Sequence, residues 1–338
     1  MSERRLVLVV GVGRSGTSLL TGILGQLGLH IPLPEVMADD TNPRGFGEPR
    51  WAVDFHSRLL KRLRVTVNDS RPAAWELTGA VADEPPVRQE LSTWLGGEFA
   101  TSDRVVVKDP RTVWFLPLWR RVADDLGATT SFVTMLREPP EIIASAKKSY
   151  GDWQADASRA AAWINVTLET ERSTRGLPRA FVRYSDLLAD WDREVRRVGE
   201  LTGDPMLAVV ERADFPSVDE FVDPTLHRNI VGWDQHDVPK HVRALGDEVW
   251  EQVQSLARPG DDDAAAQARL DASREAFTTL YAEAEAIAQS SVTAAKRGGP
   301  KHAGQSRRAK PSLRVRLARR VPVQYRRRLR ATLRSLRG

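Results

Sequence analysis

A glycine-rich segment near the start of the chain is the feature that most constrains its fold. Residues 11–18 read Gly-Val-Gly-Arg-Ser-Gly-Thr-Ser, and they join an apolar run at residues 6–10 to a helical pattern over residues 17–28. The glycines permit a tight backbone turn, and the first amides of the helix that follows point at a bound anion. A strand, a glycine turn and a helix start in this order predict a phosphate-binding loop.

The residues of this loop depart from the pattern that binds nucleoside triphosphates. In that pattern a lysine before the final Ser or Thr holds the outer phosphates. Gly11, Gly16 and Ser18 fit the pattern. Thr17, however, stands where the lysine is required, and a cation lies inside the loop instead, as Arg14. We therefore expect the loop to hold one terminal phosphate-like group and not a triphosphate.

Charge is distributed unevenly along the 338 residues. Of the 50 Lys and Arg residues, 16 lie in residues 296–338, which contain no Asp or Glu, so the basic character belongs to a tail and the body of the chain is acidic. The chain has no cysteine, which excludes disulfides and thiolate metal sites. Because no apolar stretch reaches 18 residues, we expect neither a membrane span nor a signal peptide, but a cytoplasmic enzyme.

Short β-branched runs alternate with longer amphipathic segments along the body of the chain. Strands are predicted at residues 6–10, 104–108, 130–136 and 179–184, and helices near residues 17–28, 49–64, 112–126, 139–149, 155–173 and 185–202. This order favours the α/β class, a P-loop-like three-layer α/β/α fold around a central parallel sheet. We divide the chain into a main domain, residues 1–257, a C-terminal helical extension, 258–295, and a basic linker with an amphipathic tail, 296–338.

Two polar motifs follow predicted strands, at the edge where open α/β sheets bind ligands. The first reads Lys108-Asp109-Pro110-Arg111, and the second is Arg137 followed by Glu138 and two prolines. If a helix starts at Pro139, Ser145 lies about two turns into it, so its hydroxyl and Arg137 can share one anion. The alternatives without a functional role are a local ion pair between Lys108 and Asp109 and, for the second motif, a helix cap with a surface arginine.

Together these motifs resemble the sulfotransferases that use 3′-phosphoadenosine 5′-phosphosulfate (PAPS), over roughly residues 5–235. The resemblance implies a loop for the 5′-phosphosulfate built from Gly13, Arg14, Ser15, Gly16, Thr17 and Ser18. It also implies that Arg137 and Ser145 hold the 3′-phosphate of the donor. The loop and the Lys-Asp-Pro motif are especially similar to the tyrosylprotein and carbohydrate branch, in which a lysine at the place of Lys108 stabilises the transferred group.

Other segments resemble the family unequally. Residues 42–48 and 184–188 are similar to segments common in its bacterial members. The basic glycine-rich segment that binds the 3′-phosphate in cytosolic steroid and phenol members is not matched, and residues 228–233 are only faintly similar to it. Whether residues 228–233 contribute to binding of the 3′-phosphate stays open at this point.

Sulfuryl transfer is an in-line displacement in which charge builds on the bridging oxygen and the leaving 5′-phosphate. The loop amides, Arg14 and Lys108 can supply the fixed donors and cations, and no metal is required. The attacking hydroxyl needs a base, and the candidates are Glu48, Glu35, Asp109 and His56. We prefer Glu48, where a long loop passes into a helix. Glu35 is spaced from the arginine loop as in the tyrosylprotein branch, and His56 also fits an ordinary helix histidine.

The C-terminal tail has an apolar residue at every fourth position among arginines, interrupted by Pro322: Leu313, Leu317, Val321, Tyr325, Leu329 and Leu333. Such a helix can lie on an anionic membrane surface and hold the enzyme near lipid-linked acceptors, which would make it peripheral at the inner membrane surface. A solvated basic extension explains the pattern equally well, and binding of nucleic acid is less favoured than either.

The sequence therefore predicts an enzyme that sulfates a hydroxyl of a small molecule, a glycan or a glycolipid, with PAPS as the donor. The alternative enzyme is a P-loop phosphotransferase, which Thr17 and the lack of a clear carboxylate pair for Mg²⁺ disfavour. An alternative from another class is a non-catalytic module that binds nucleotide or anionic lipid. The acceptor and the oligomeric state stay open at this point.

Overall fold

The computed structural model describes residues 3–39, 42, 45–223, 225, 231–258 and 263–296. Within these residues the chain forms a sheet of four parallel strands in the order β2-β1-β3-β4. The strands are β1 (Arg4–Val10), β2 (Arg104–Lys108), β3 (Ala128–Leu136) and β4 (Arg179–Arg183). The prediction of an α/β fold with a central parallel sheet is confirmed.

Helices connect the strands and cover both faces of the sheet, as parallel strands require. In chain order they are α1 (Thr17–Gln26), α2 (Arg50–Leu63), α3 (Ala74–Gly79), α4 (Pro85–Thr101), α5 (Leu116–Asp125), α6 (Pro139–Tyr150), α7 (Asp156–Ser173), α8 (Tyr184–Ala189), α9 (Trp191–Thr202), α10 (Pro216–Phe221), α11 (Lys240–Ser255) and α12 (Asp263–Lys296).

Strand β1 lies at the centre of the sheet and shows how the layers form. Its side chains alternate between the two faces, and all of its residues from Leu6 to Val10 are buried. Leu6 and Leu8 pack with α2, α4 and α5 on one face, whereas Val7 and Val9 pack with α1 and α9 on the other. A third cluster joins α6, α7, α11 and α12 beside β4. Apolar burial on both faces therefore holds β1 in place.

The register of the sheet sets where the strands end. Leu8 of β1 lies level with Val107 of β2 and with Phe132 of β3. Because every strand is parallel, the carboxyl ends of all four meet at one edge. The loops after β1, β2 and β3 carry the predicted phosphate loop and the two polar motifs, so the topology brings these segments to the same edge.

Two predicted helices differ from the observed ones. The helix predicted over residues 185–202 is in fact two, α8 and α9, because Asp190 between them has φ −153° and ψ 74°, outside the helical region. The helix predicted over residues 112–126 begins as a 3₁₀ turn, Thr112–Phe115, before α5 starts at Leu116 with Pro117 in its first turn. Proline lacks the amide that a continuous α-helix needs at that position.

The contacts between residues group the chain into two compact units, residues 1–282 and residues 283–338. The described part of the second unit is the end of α12, up to Lys296. Residues 297–338 of the basic tail lie outside the described residues, and the three-segment division at 257 and 295 stays a prediction. Among the helices that the structure describes, none contains a run of apolar residues that could span a bilayer.

The packing of α9 against the 3₁₀ turn at Leu207–Val209 leaves no space for a side chain at Gly199. A methyl group there would lie 2.2 Å from the amide nitrogen of Ala208. We expect Gly199→Ala to lower the free energy of unfolding by about 1–3 kcal/mol, because the overpacked backbone must shift. Denaturation in urea measures this change.

Gly97→Ala in α4 is the matched control, since nothing lies within 4 Å of an added methyl group at that exposed helical position. It should leave stability unchanged or raise it by about 0.5–1 kcal/mol, as alanine is the better helix former. Equal stability of the two variants would contradict the close contact at Gly199.

Candidate active site

The glycine loop lies between β1 and α1 and takes a backbone conformation that most residues avoid. Gly11, Arg14 and Gly16 have φ values of 128°, 77° and 98°. A side chain at Gly16 would collide with the ring of Tyr184, at 2.3 Å, so this glycine is required by close packing as well as by its φ. Gly16 is also the N-cap of α1 and has no side chain to bond the first amides of the helix. The amides of Leu19 and Leu20 donate to the carbonyl of Gly16, so those of Thr17 and Ser18 are the ones that a ligand can reach.

Lys108, the last residue of β2, lies beneath this loop and is 2% exposed. Its ammonium group donates three hydrogen bonds, to Ser18 Oγ at 3.1 Å, to the carbonyl of Phe46 at 3.0 Å and to Glu48 Oε1 at 2.6 Å. Burial lowers the pKa of Lys108, while the charge of Glu48 and its hydrogen bond oppose that change. The fold thus joins the predicted lysine, the predicted base and the end of the loop.

Asp109, the next residue, lies in the core with His56. The Nδ1 atom of His56 is 2.7 Å from Asp109 Oδ2, and the Nε1 atom of Trp119 lies 2.9 Å from the second ring nitrogen of His56. Because an indole N–H can only donate, that nitrogen of His56 accepts, and Nδ1 carries the proton that it donates to Asp109. Both ring nitrogens are therefore used within the core. Neither side chain is exposed to solvent.

Asp109 also accepts hydrogen bonds from the guanidinium and the amide of Arg111, at 2.7 and 3.2 Å. Burial raises the pKa of Asp109, but the hydrogen bond from His56 and the charge of Arg111 outweigh it and leave the pKa below its usual range. The carboxylate therefore anchors the turn after β2.

Arg137 and Ser145 lie on the other side of the loop, at the start of α6 and within it, and Arg137 is 8% exposed. Arg137 donates from Nε to Glu141 at 2.8 Å and from Nη1 to the carbonyl of Arg14 at 3.3 Å, and its guanidinium stacks 4.8 Å from the centre of the Tyr184 ring. Its Nη2 is buried and has no hydrogen-bond partner among the described residues. Ser145 Oγ accepts from Arg14 Nε at 3.1 Å and retains its own hydrogen to donate.

Glu35, the second candidate base, lies on a segment that runs antiparallel to the one carrying Glu48. It forms a backbone bridge with Pro49, and the amide of Val36 donates to the carbonyl of Glu48 at 2.8 Å. Its side chain is half-buried and forms no hydrogen bond or ion pair with the residues the structure describes. The fold therefore brings Glu35 next to Glu48 along the backbone.

Two of the segments that resemble the family lie partly outside the described residues. These are residues 42–48, of which 43 and 44 are not described, and residues 228–233, of which 228–230 are not described. In the described ranges, no group of three or more His, Asp or Glu side chains has the arrangement of a metal site.

Several contacts of the site were not predicted. Glu141 follows Arg137 by four residues in a predicted helix, and that spacing alone could have indicated the ion pair. Phe46 lies 62 residues from its partner Lys108, and Trp119 lies 63 residues from its partner His56. No local pattern in the sequence indicates such pairs.

The protein is thus an α/β protein with a central parallel sheet, and the glycine loop after its first strand lacks the lysine of the nucleoside triphosphatases. The sequence matches the profile described as the Sulfotransferase family over residues 7–208, more than half of the chain. The chain therefore belongs to the sulfotransferase family and is a transferase. Among solved structures, the Sulfotransferase Domain from the Synechococcus PCC 7002 Olefin Synthase is similar, with 16% identity, a TM-score of 0.37, and coverage of 82% of this chain and 95% of that one. No curated protein matches the sequence.

The buried carboxylate of Asp109 should contribute to stability in a pH-dependent way. We expect Asp109→Asn to lower the free energy of unfolding at pH 7 by about 2–4 kcal/mol, because it removes a charge that His56 and Arg111 bind. The pKa of Asp109 is lowered in the fold, so its contribution is present above about pH 4 and is lost as the pH falls through the folded pKa. Urea denaturation of both proteins from pH 7 to pH 3 measures the difference.

Asp125→Asn, at an exposed position at the end of α5, is the control and should change stability by less than about 0.5 kcal/mol. A difference for Asp109→Asn that does not shrink toward pH 3 would contradict the assignment of an ionised, buried Asp109.

Proposed function

We propose that this protein transfers a sulfuryl group from PAPS to a hydroxyl of a small molecule, a glycan or a glycolipid, by in-line displacement. The observation that carries the proposal is the buried Nη2 of Arg137, which has no hydrogen-bond partner among the described residues and belongs to a side chain that contacts the glycine loop. Leaving a buried guanidinium nitrogen without a partner costs free energy, so the position favours an anionic ligand. A ribose 3′-phosphate distinguishes PAPS from ATP, and it is the group this nitrogen would bind.

The residues present fit such a donor at both of its ends. The backbone of Gly13 to Ser18 offers glycine turns and the open first amides of α1 to the 5′-phosphosulfate. Arg137 Nη2 and the hydroxyl of Ser145 offer hydrogen bonds to the 3′-phosphate. When bound, PAPS supplies an activated sulfuryl group. Lys108 lies beside the glycine loop and donates a hydrogen bond to Ser18.

Glu48 is the base that the geometry supports best among the four candidates. His56 and Asp109 bond each other in the core and have no solvent access, so neither can reach an acceptor. Glu48 accepts from Lys108 through Oε1, and its Oε2 has no partner among the described residues. That oxygen can accept the proton of an acceptor hydroxyl. Glu35, on the adjacent segment, is the alternative base.

Proton transfer to Glu48 also changes what Lys108 can do. An ammonium group has three N–H donors, and all three of Lys108 are used by Ser18, Phe46 and Glu48. A protonated Glu48 no longer carries the charge that binds Lys108 at 2.6 Å. The hydrogen bond to Glu48 Oε1 can remain, but the positive charge of Lys108 is no longer neutralised and can stabilise the charge that develops on the transferred group and its bridging oxygen.

Replacing Arg137 should weaken binding of the donor. For Arg137→Ala we expect the affinity for adenosine 3′,5′-bisphosphate, the product of the donor, to fall by about 1.5–3 kcal/mol through loss of charge-assisted hydrogen bonds. Isothermal titration calorimetry measures the change. Ser145→Ala, which leaves the ion pair between Arg137 and Glu141 in place, tests the same subsite if Arg137→Ala does not fold.

The comparison of ligands on the wild-type protein decides the function. Tighter binding of adenosine 3′,5′-bisphosphate than of ATP with Mg²⁺ supports sulfuryl transfer from PAPS. Tighter binding of ATP with Mg²⁺ would indicate a phosphotransferase, and binding of neither would indicate a module of another kind. Unchanged affinity of Arg137→Ala would remove Arg137 from the donor site.

Glu48→Gln should reduce turnover while donor binding is retained, because glutamine can accept a hydrogen bond from Lys108 but cannot take up a proton. We expect turnover to fall by about 10²–10⁴-fold, the usual contribution of a general base. Transfer of label from radiolabelled PAPS to an acceptor extract measures turnover, and calorimetry with adenosine 3′,5′-bisphosphate measures donor binding.

Glu35→Gln is the matched control and should leave turnover close to that of the wild type. Normal turnover of Glu48→Gln, with a loss in Glu35→Gln, would assign the base to Glu35 instead. Equal losses in both variants would indicate that the two carboxylates act together on the acceptor.

A further inference from the structure

Gly47 lies in the segment that contains the proposed base, and its backbone conformation favours glycine. Its φ is 62°, in the left-handed region. The residues on either side of it both accept hydrogen bonds from Lys108, through the carbonyl of Phe46 at 3.0 Å and through Glu48 Oε1 at 2.6 Å. Two of the three hydrogen bonds of the buried ammonium group therefore depend on where this one segment lies.

Gly47 also lies directly against α1. A methyl group at this position would be 2.8 Å from Cγ2 of Thr21 and 3.1 Å from its Cβ, closer than an ordinary van der Waals contact. Because glycine has no side chain, the segment can approach the helix this closely. The segment and the helix thus meet at the one residue between the two acceptors of Lys108.

The side chain of Thr21 has little freedom to move aside. It is buried, and its Oγ1 donates a hydrogen bond to the carbonyl of Thr17 at 2.9 Å, one turn earlier in α1. This bond fixes the torsion angle of a β-branched side chain, so the methyl group keeps its direction toward Gly47. A rotation that moved the methyl group away would leave a buried hydroxyl without this partner, which costs free energy.

Residues 46–48 are held from three sides. The segment leads into α2 at Arg50, accepts two hydrogen bonds from Lys108 at the end of β2, and packs on α1 through Gly47. A backbone hydrogen bond of 2.8 Å, from the amide of Val36 to the carbonyl of Glu48, joins it to the preceding part of the connection. The contact at Gly47 has no spare space, so it sets the distance between the segment and α1.

We propose that Gly47 is a positioning residue of the reaction, because its contact with Thr21 fixes the place of Glu48 and of the Phe46 carbonyl relative to Lys108. The inference rests on the proposed function and deepens it. A side chain at position 47 displaces the segment and, with it, both acceptors of the ammonium group. The base and the cation then lose the geometry that the transfer needs. The backbone of the glycine loop takes no part in this contact, so binding of the donor is retained.

Gly47→Ala tests the contact, and Gly45→Ala is the matched control. Both glycines have a positive φ, 62° and 89°, but nothing lies within 4 Å of a methyl group at Gly45. We expect Gly47→Ala to lower turnover by about 10–100-fold, because a displacement on the order of 1 Å is enough for such a loss. Gly45→Ala should keep turnover within about threefold of the wild type. Transfer of label from radiolabelled PAPS measures turnover.

Binding of the donor distinguishes a positioning role from a general loss of structure. Calorimetry with adenosine 3′,5′-bisphosphate measures the affinity of each folded variant. We expect the affinity to change by less than about threefold in both glycine variants, since the contact lies outside the backbone of the glycine loop. The loss in Gly47→Ala should therefore appear in turnover and not in the binding of the bisphosphate.

Thr21→Ser provides a rescue of Gly47→Ala. Serine keeps the hydroxyl that binds the Thr17 carbonyl but lacks the methyl group that the added side chain would meet. Alone, this substitution should leave turnover within about threefold of the wild type. Combined with Gly47→Ala, it should raise turnover at least about fivefold above that of Gly47→Ala alone, because the two substitutions act on one contact.

Hydrogen–deuterium exchange follows the position of the segment independently of the reaction. The amide of Val36 donates to the carbonyl of Glu48, so its exchange rate reports whether the segment stays in place. We expect this amide to exchange at least about tenfold faster in Gly47→Ala and less than about threefold faster in Gly45→Ala.

The outcomes separate this inference from the proposed function. Equal losses of turnover in the two glycine variants, unchanged exchange of the Val36 amide in Gly47→Ala, or a loss of bisphosphate affinity as large as the loss of turnover would each overturn the inference while the function stands. A wild-type protein that neither binds the bisphosphate nor transfers label from PAPS would overturn the proposed function itself. Should Gly47→Ala not fold, Thr21→Leu crowds the same contact from α1, and unchanged turnover in that variant overturns the inference.

Discussion

The close packing of the glycine loop onto the ends of the neighbouring strands is the constraint on which the rest of the site depends. A side chain at Gly11 would lie 2.7 Å from the carbonyl of Met135 in β3, and one at Gly16 would meet the ring of Tyr184 just after β4. The loop therefore lies directly against backbone and ring, with no space between them. Since the strands are held by apolar burial on both faces, the loop amides have a fixed position before any anion binds.

Charges near the loop are arranged so that most of them are neutralised in advance. Lys108 and Glu48 are buried together at 2.6 Å, and Arg137 and Glu141 at 2.8 Å. Buried ions without partners would be costly, and these pairs remove most of that cost while they hold the cations rigidly in position. Among the described residues, Arg14 forms no ion pair, so its positive charge lies on the loop itself. An anion that binds at such a site does not have to order the side chains first, so less free energy is lost on binding.

The local patterns of the sequence were sufficient for the sheet and for the loop, whose strand, glycine turn and helix start lie within about twenty residues. The ion pair between Lys108 and Glu48 joins residues 60 positions apart, and only the chain path over the sheet edge brings them together. The core role of His56 depends on Trp119, which no spacing rule connects to it. The break at Asp190 was missed because a backbone conformation, and not a proline or glycine, ends α8. Most features of the site that the sequence could not predict therefore depend on contacts between segments that are distant along the chain.

Lys108 and Asp109 show how one turn can serve both the site and the core. Successive residues at the end of an extended strand point to opposite sides. Lys108 accordingly reaches Ser18 and Glu48, whereas Asp109 reaches His56 on α2. Because Asp109 is bonded on its own side, the turn cannot rotate, and the ammonium group of Lys108 is confined to the loop side. The carboxylate that is buried in the core therefore fixes the cation that we propose to act on the transferred group.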